Sequence, residues 1–126
     1  MLFRSLTPFG IYTIPEISMV GETEDALKKR GVAYEVGRAG WEHNARGQIT
    51  GERDGLLKLV FEVPSKRLLG VHMIGPRSTE LVAEAVLALR LECTVEELVK
   101  TIHAHPTLSE GVGEAAHATH GAAIHM

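Results

Sequence analysis

The 126 residues carry 13 basic against 16 acidic side chains and a formal charge of −3, which is enough chain for one core and too little for two substantial ones. That balance gives no cationic surface for a phosphate backbone or an anionic bilayer, so neither nucleic acid nor a membrane is an expected partner. The longest apolar run, Leu81 to Leu89, is interrupted by Glu84 and falls far short of the roughly 20 residues that span a bilayer.

The opening MLFRSLTPFG has neither a long apolar stretch nor a small-residue cleavage site, so a cytoplasmic address is expected; residues 1–10 read as an N-terminal extension. In IYTIPEISMVG (11–21) a β-branched strand is broken near its middle by Pro15, which cannot donate to a ladder. Thr23 is placed to cap a short exposed helix with Glu24 and Asp25 in its first turn, Lys28, Lys29 and Arg30 in its last, and Gly31 as its stop. Val32 to Arg38 reads as a strand, and Gly40 to Gln48 has no clear period and is expected to be irregular or weakly extended.

The pattern is clearest in LLKLVFEVPSKRLLGVHMIG (56–75). Leu57, Leu59, Phe61 and Val63 alternate with a more polar set, the turn Pro64-Ser65-Lys66 follows, and alternation resumes with Leu69, Val71 and Met73, which predicts a β-hairpin. His72 in its second strand is read as a surface or hydrogen-bonded histidine. From Ser78 to Leu91 the periodicity is helical, but Leu81, Val82, Ala85, Val86, Leu87, Leu89 and Leu91 leave polar only a narrow stripe at Glu80, Glu84 and Arg90. A helix apolar over most of its circumference is covered on more than one side, which predicts a partner surface as well as a sheet, and a homodimer. Thr94-Val95-Glu96-Glu97 has capping-box spacing and starts another helix that ends before His103. Strands, a hairpin and then helices make an α+β domain with a mostly antiparallel sheet covered by helices.

The lone Cys93 reads as a small apolar residue at a helix boundary, since an internal disulfide needs a second cysteine. Chemistry concentrates in HAHPTLSE (103–110). An imidazole is the side chain suited to proton transfer near neutrality, and Glu110 bonded to one ring nitrogen of His105 would fix its tautomer and stabilise its cation, as in a general base. On spacing alone a second reading stands beside it, because Thr107-Leu108-Ser109-Glu110 is also a T-x-x-E capping box.

HAHPTLSE closely resembles the C-terminal signature of the flavoprotein disulfide reductases. TIPEISMVGETEDALKKRGV, VGRAGWEHNARGQ, LLKLVFEVPSKRLLGVHMIGP and STELVAEAVLAL extend that likeness over most of the chain. Among the family's branches it is most similar to the dihydrolipoamide dehydrogenases, and residues 11–116 are identified with the family's dimerisation domain. The resemblance implies a twofold homodimer, His105 as the acid/base for thiol chemistry in the other subunit, and Glu110 as its dyad partner. It also implies a cis His105-Pro106 bond, with the backbone of both residues near the FAD of the partner subunit; His103 matches a frequent position and is given no role. GIYTIPEISMVG is also similar to the soluble pyridine nucleotide transhydrogenases, but that branch tends to lack the catalytic histidine. Mercuric reductases usually end in a cysteine pair, where this chain ends His125-Met126.

The family's flavin-binding turn, redox cysteine pair and nicotinamide domain have no counterpart here. GVGEAA (111–116) fits G-x-G-x-x-A, yet no strand leads into it and only ten residues follow, so it is read as a coincidence. Binding of FAD or NAD(P) by this chain alone is not expected. Gly111 and Gly113 are expected to weaken the helix after Glu110. His117, His120 and His125 are read as a solvated tail (117–126) and no metal site is assigned. The expectation is an isolated dimerisation domain, inactive alone, that acts with a flavin-bearing oxidoreductase partner in dithiol/disulfide chemistry. The alternative is a non-catalytic module that homodimerises or heterodimerises through the same apolar helix.

Overall fold

The computed structural model describes residues 6–119. In chain order the elements are β1 (Phe9–Ile11), β2 (Ile17–Gly21), α1 (Glu24–Lys29), β3 (Tyr34–Gly40), a 3-10 turn (Trp41–His43), α2 (Ala45–Thr50), β4 (Leu56–Glu62), β5 (Leu68–Ile74), α3 (Ser78–Arg90), α4 (Val95–Lys100) and α5 (Glu110–Ala118). The strands form one sheet in the order β1-β2-β5-β4-β3, with every neighbouring pair antiparallel. The α+β class expected from the order of elements is the one observed.

Pro15 breaks its strand into a hairpin: β1 and β2 pair antiparallel across it, Phe9 opposite Met19 and Ile11 opposite Ile17, and the Ile14-Pro15 bond is cis. The ladder starts at Phe9. Thr23 caps α1 as its sequence predicts, its Oγ1 accepting from the Ala26 amide at 3.1 Å, and Gly31 ends the turn with φ +68°. The helix is less exposed than expected, because Leu27 is fully buried and Lys58 on β4 donates to Glu24 Oε2 at 2.8 Å. Polar residues thus tie α1 to the sheet.

On β4, Leu57, Leu59 and Phe61 alternate into one buried cluster with Val71 and Met73 of β5. The alternation carries one residue less far on β5 than predicted. A register shift pairs Val60 with Gly70 but Phe61 with Leu68, so Leu69 is the extra residue of a bulge and Leu68 enters the core in its place. α3 lies over β2 and β5, α5 over β3 and β4, and α4 against α5. Val82, Ala85 and Leu89 of α3 and Val112, Ala115 and Ala116 of α5 join the same cluster. Leu87 and Leu91, by contrast, are 57% and 65% exposed. One side of α3 covers the sheet, and the apolar residues opposite remain open on the single chain, as a helix covered on two sides requires.

Gly40 to Gln48, expected to be irregular or weakly extended, instead forms a 3-10 turn and the start of α2. Trp41 is fully buried, and Asn44 caps α2 with its Oδ1 accepting from the Gly47 amide at 3.1 Å. Six residues give too few repeats for periodicity to reveal such a helix; tertiary burial of the indole and the cap determine it. α5 runs through both Gly111 and Gly113. A Cβ at Gly111 would sit 2.7 Å from Trp41 Cζ3, so the missing side chain is what lets the helix rest on the indole. A Cβ at Gly113 would meet only His103, at 3.7 Å, an ordinary contact.

The two glycines should therefore respond oppositely to alanine. Gly111→Ala is expected to cost about 1–3 kcal/mol through overpacking against Trp41, and Gly113→Ala to stabilise by about 0.4–1 kcal/mol by restricting the unfolded chain. Urea unfolding monitored by Trp41 fluorescence checks both signs.

Candidate functional site

The chain between α4 and α5, Thr101 to Ser109, holds the site residues. The helix before it carries the predicted capping box at its own start: the Thr94 hydroxyl and then the Thr94 amide, at 2.5 Å, donate to Glu97 and hold its carboxyl below its usual range. The end of the loop is fixed by Glu110, the first residue of α5, where a carboxylate also suits the positive end of the helix dipole.

His105 and Glu110 are brought together. The His105 Nδ1–H reaches both carboxylate oxygens of Glu110 at 3.0 Å, and the Thr107 amide donates to Oε1 at 2.9 Å. The two readings of this stretch are therefore not exclusive: one carboxylate closes the loop at the helix start and orients the imidazole. Thr107 does not act as the cap expected of a full box, because its hydroxyl donates to Ala104 O at 2.6 Å and Ser109 is the N-cap residue. The His105-Pro106 bond is cis. With Nδ1 engaged, Nε2 is the ring nitrogen left for chemistry, on a side chain 63% exposed. Glu110 is 21% exposed. The pair opens onto a groove beside the end of β3 and the 3-10 turn, where Arg38, Glu42, His43 and Glu114 also lie. An oriented imidazole at the mouth of a charged groove can accept and return a proton.

Two supports were not legible as site residues. Asn44 Nδ2 donates to the Thr107 carbonyl at 3.1 Å, so the residue that caps α2 also holds the loop from below; an asparagine ahead of a short helical run is the signal that marks such a cap. His103 Nε2 donates to Glu84 Oε2 on α3 at 2.7 Å. The pair stand nineteen positions apart, and no local pattern announces it. The Glu84 hydrogen bond raises the His103 pKa above its ordinary 6.5, against the opposing effect of burial, and the charge of Glu110 adds to the rise.

The other candidates lie elsewhere. His72 Nε2 donates to the Glu22 carbonyl at 2.9 Å, and burial pushes its pKa down. Cys93 is half-buried between α3 and α4, and burial followed by the charge of Glu97 pushes its thiol up, away from thiolate chemistry. Gly111 and Gly113 sit inside α5, with Gly111 against an indole, so GVGEAA forms no phosphate cradle. Of the histidine-rich tail, His120 and His125 lie outside the described residues. Among the described residues, no three His, Cys, Asp or Glu side chains converge as metal ligands, and no helix is long and apolar enough to cross a membrane.

Residues 7–116 match the family described as pyridine nucleotide-disulphide oxidoreductase, dimerisation domain. The chain is 41% identical over 119 residues to dihydrolipoyl dehydrogenase 2, mitochondrial, of Arabidopsis thaliana, a match covering 94% of this chain and 24% of that protein. It is 45% identical over 125 residues to dihydrolipoyl dehydrogenase of Thermus scotoductus, covering 99% and 27% respectively. The crystal structure of LpdA from Mycobacterium tuberculosis superposes with a TM-score of 0.84 at 26% identity, over 90% of this chain and 25% of that one. The HOCl-induced flavoprotein disulfide reductase RclA from Escherichia coli superposes equally well, at 0.84 and 22% identity, over 90% and 26%, a likeness of fold alone. The chain thus spans about a quarter of the length of the relatives it matches.

The Glu110 carboxylate can only accept, so it holds neutral His105 as the Nδ1–H tautomer. Glu110→Gln is expected to release that preference and move the ring toward Nε2–H, read from the imidazole ¹⁵N shifts. For His103 the folded-state pKa is raised, so its contribution to stability is full below the ordinary imidazole range and lost as pH rises through the folded value. His72, with a lowered pKa, works in the opposite sense. The two separate by difference: Glu84→Gln should destabilise the protein more at about pH 5.5 than at about pH 9, measured by urea midpoints of both proteins at each pH.

Proposed function

The chain belongs to the pyridine nucleotide-disulphide oxidoreductases through their dimerisation domain, and from that premise we propose that it supplies one half of a dithiol/disulfide active site to a flavin-bearing oxidoreductase subunit. The observation that carries the reading is the oriented pair: His105 Nδ1–H on Glu110 at 3.0 Å, with the ring exposed at the groove. His105 Nε2 takes the proton of a substrate thiol. The resulting thiolate attacks one sulfur of the partner's disulfide, a new S–S bond forms as the old one breaks, and the departing sulfur leaves as thiolate. Glu110 keeps its negative charge throughout and stabilises the imidazolium. In the return direction the same nitrogen gives the proton back.

This chain's residues do not fit a resident FAD or NAD(P), because its one glycine-rich match is helix interior packed on Trp41. No step here runs through either cofactor, and the backbone at His105 and Pro106 is proposed only to lie near the flavin of a partner. Taken by itself the chain is proposed to be inactive as an oxidoreductase. A second reading, an interaction module without chemistry, is favoured by the open Leu87 and Leu91 on α3, which suit a second copy or a full-length relative whether or not His105 is used.

Complementation separates the readings. Mixed with a dihydrolipoyl dehydrogenase whose own histidine at the equivalent position has been replaced, the chain should restore dihydrolipoamide oxidation. The His105→Gln chain should restore roughly a hundredfold less or worse, the scale of a lost general base, and Leu87→Glu should fail by not associating. Equal restoration by wild type and His105→Gln would leave only the interaction module.

A further inference from the structure

His103 stands in the site loop between two helices, α3 and α5. Its Nε2 donates to Glu84 of α3 at 2.7 Å, and its Nδ1 edge lies where a Cβ on Gly113 of α5 would be 3.7 Å away. The side chain is 11% exposed, so the bond is shielded from competing water, whereas Glu84 is 31% exposed. Two residues further on stands His105. We propose that His103 is a positioning residue for His105, clamping the site loop to α3 through Glu84 so that the His105–Glu110 geometry depends on the placement of that helix.

The charges support the clamp. Glu84 on α3 and Glu110 at the start of α5 both favour the imidazolium form of His103, and in that form its bond to Glu84 is charge-assisted and holds more firmly than a neutral one. Glu84 also shares a helix face with Leu87 and Leu91, at positions i, i+3 and i+7, the face open on the single chain. A second copy covering that face would remove water from Glu84 and tighten its hold on His103. Association and site geometry are linked through one hydrogen bond.

This rests on the acid/base reading of His105, and the test keeps the two apart. The readout of loop position is exchange of the Thr107 amide, which donates to Glu110, compared with Val60 and Val71 in the sheet. In Glu84→Gln, and independently in His103→Gln, Thr107 should exchange at least about tenfold faster while the two sheet amides are unchanged, the signature of local opening. The Nδ1–H tautomer of His105 should fall in the same variants. Unchanged Thr107 exchange overturns the proposal, and so does acceleration of all three amides together, which is global destabilisation. Should complementation fail while Thr107 responds as stated, the clamp stands and the acid/base reading of His105 falls.

Discussion

The position of the site begins with how closely α5 can lie on the sheet. A Cβ at Gly37 in β3 would be 1.9 Å from the carbonyl oxygen of Ala115, well inside van der Waals contact, so the helix backbone rests directly on the strand. One turn nearer the helix start, Gly111 lies over the Trp41 ring. Gly55 and Gly75 close on the same indole, where a Cβ would stand 2.7 Å and 2.5 Å away. A fully buried indole of this size is worth about 3–5 kcal/mol against truncation, and here it also sets the height of the helix. Glu110, at the first position of α5, inherits its place from that packing.

From this seat the rest is short-range. Glu110 gathers the His105 ring and the Thr107 amide, Asn44 holds the Thr107 carbonyl, and Glu84 holds His103. Three elements distant in sequence, α2, α3 and α5, therefore converge on a loop of nine residues. Such a loop keeps little shape by itself; it is over-determined by partners that are each part of a packed element. The groove it faces contains both signs of charge, and the domain is the one named for dimerisation in the family to which the chain belongs.

What could be read in advance was whatever local chemistry or strict alternation dictates. The β4–β5 hairpin, the caps at Thr23 and Thr94, and α3 with its surplus of apolar residues all follow from neighbours within a turn or a strand. The HAHPTLSE stretch was conspicuous for the same reason, and its resemblance gave the fold. What escaped was set by contacts across the fold. The bulge that exchanges Leu69 for Leu68 depends on pairing with Phe61. The order of Trp41 to Thr50 depends on burial of one indole. Gly111 looked like a weak point because propensity measures a glycine in an open helix, and here its cost is offset by the approach it permits. His103 and Glu84 were silent because they stand nineteen positions apart.

The central claim is that the seat of α5 on β3, and not the loop sequence alone, makes the His105–Glu110 pair. Gly37→Ala tests it most directly, because the added methyl is remote from both residues yet must displace the Ala115 carbonyl. The account predicts that the protein remains folded, with sheet amides still protected in β4 and β5, while the His105 ¹⁵N shifts lose the Nδ1–H signature and Thr107 loses protection. A folded Gly37→Ala protein with the His105–Glu110 pair unaltered would contradict it.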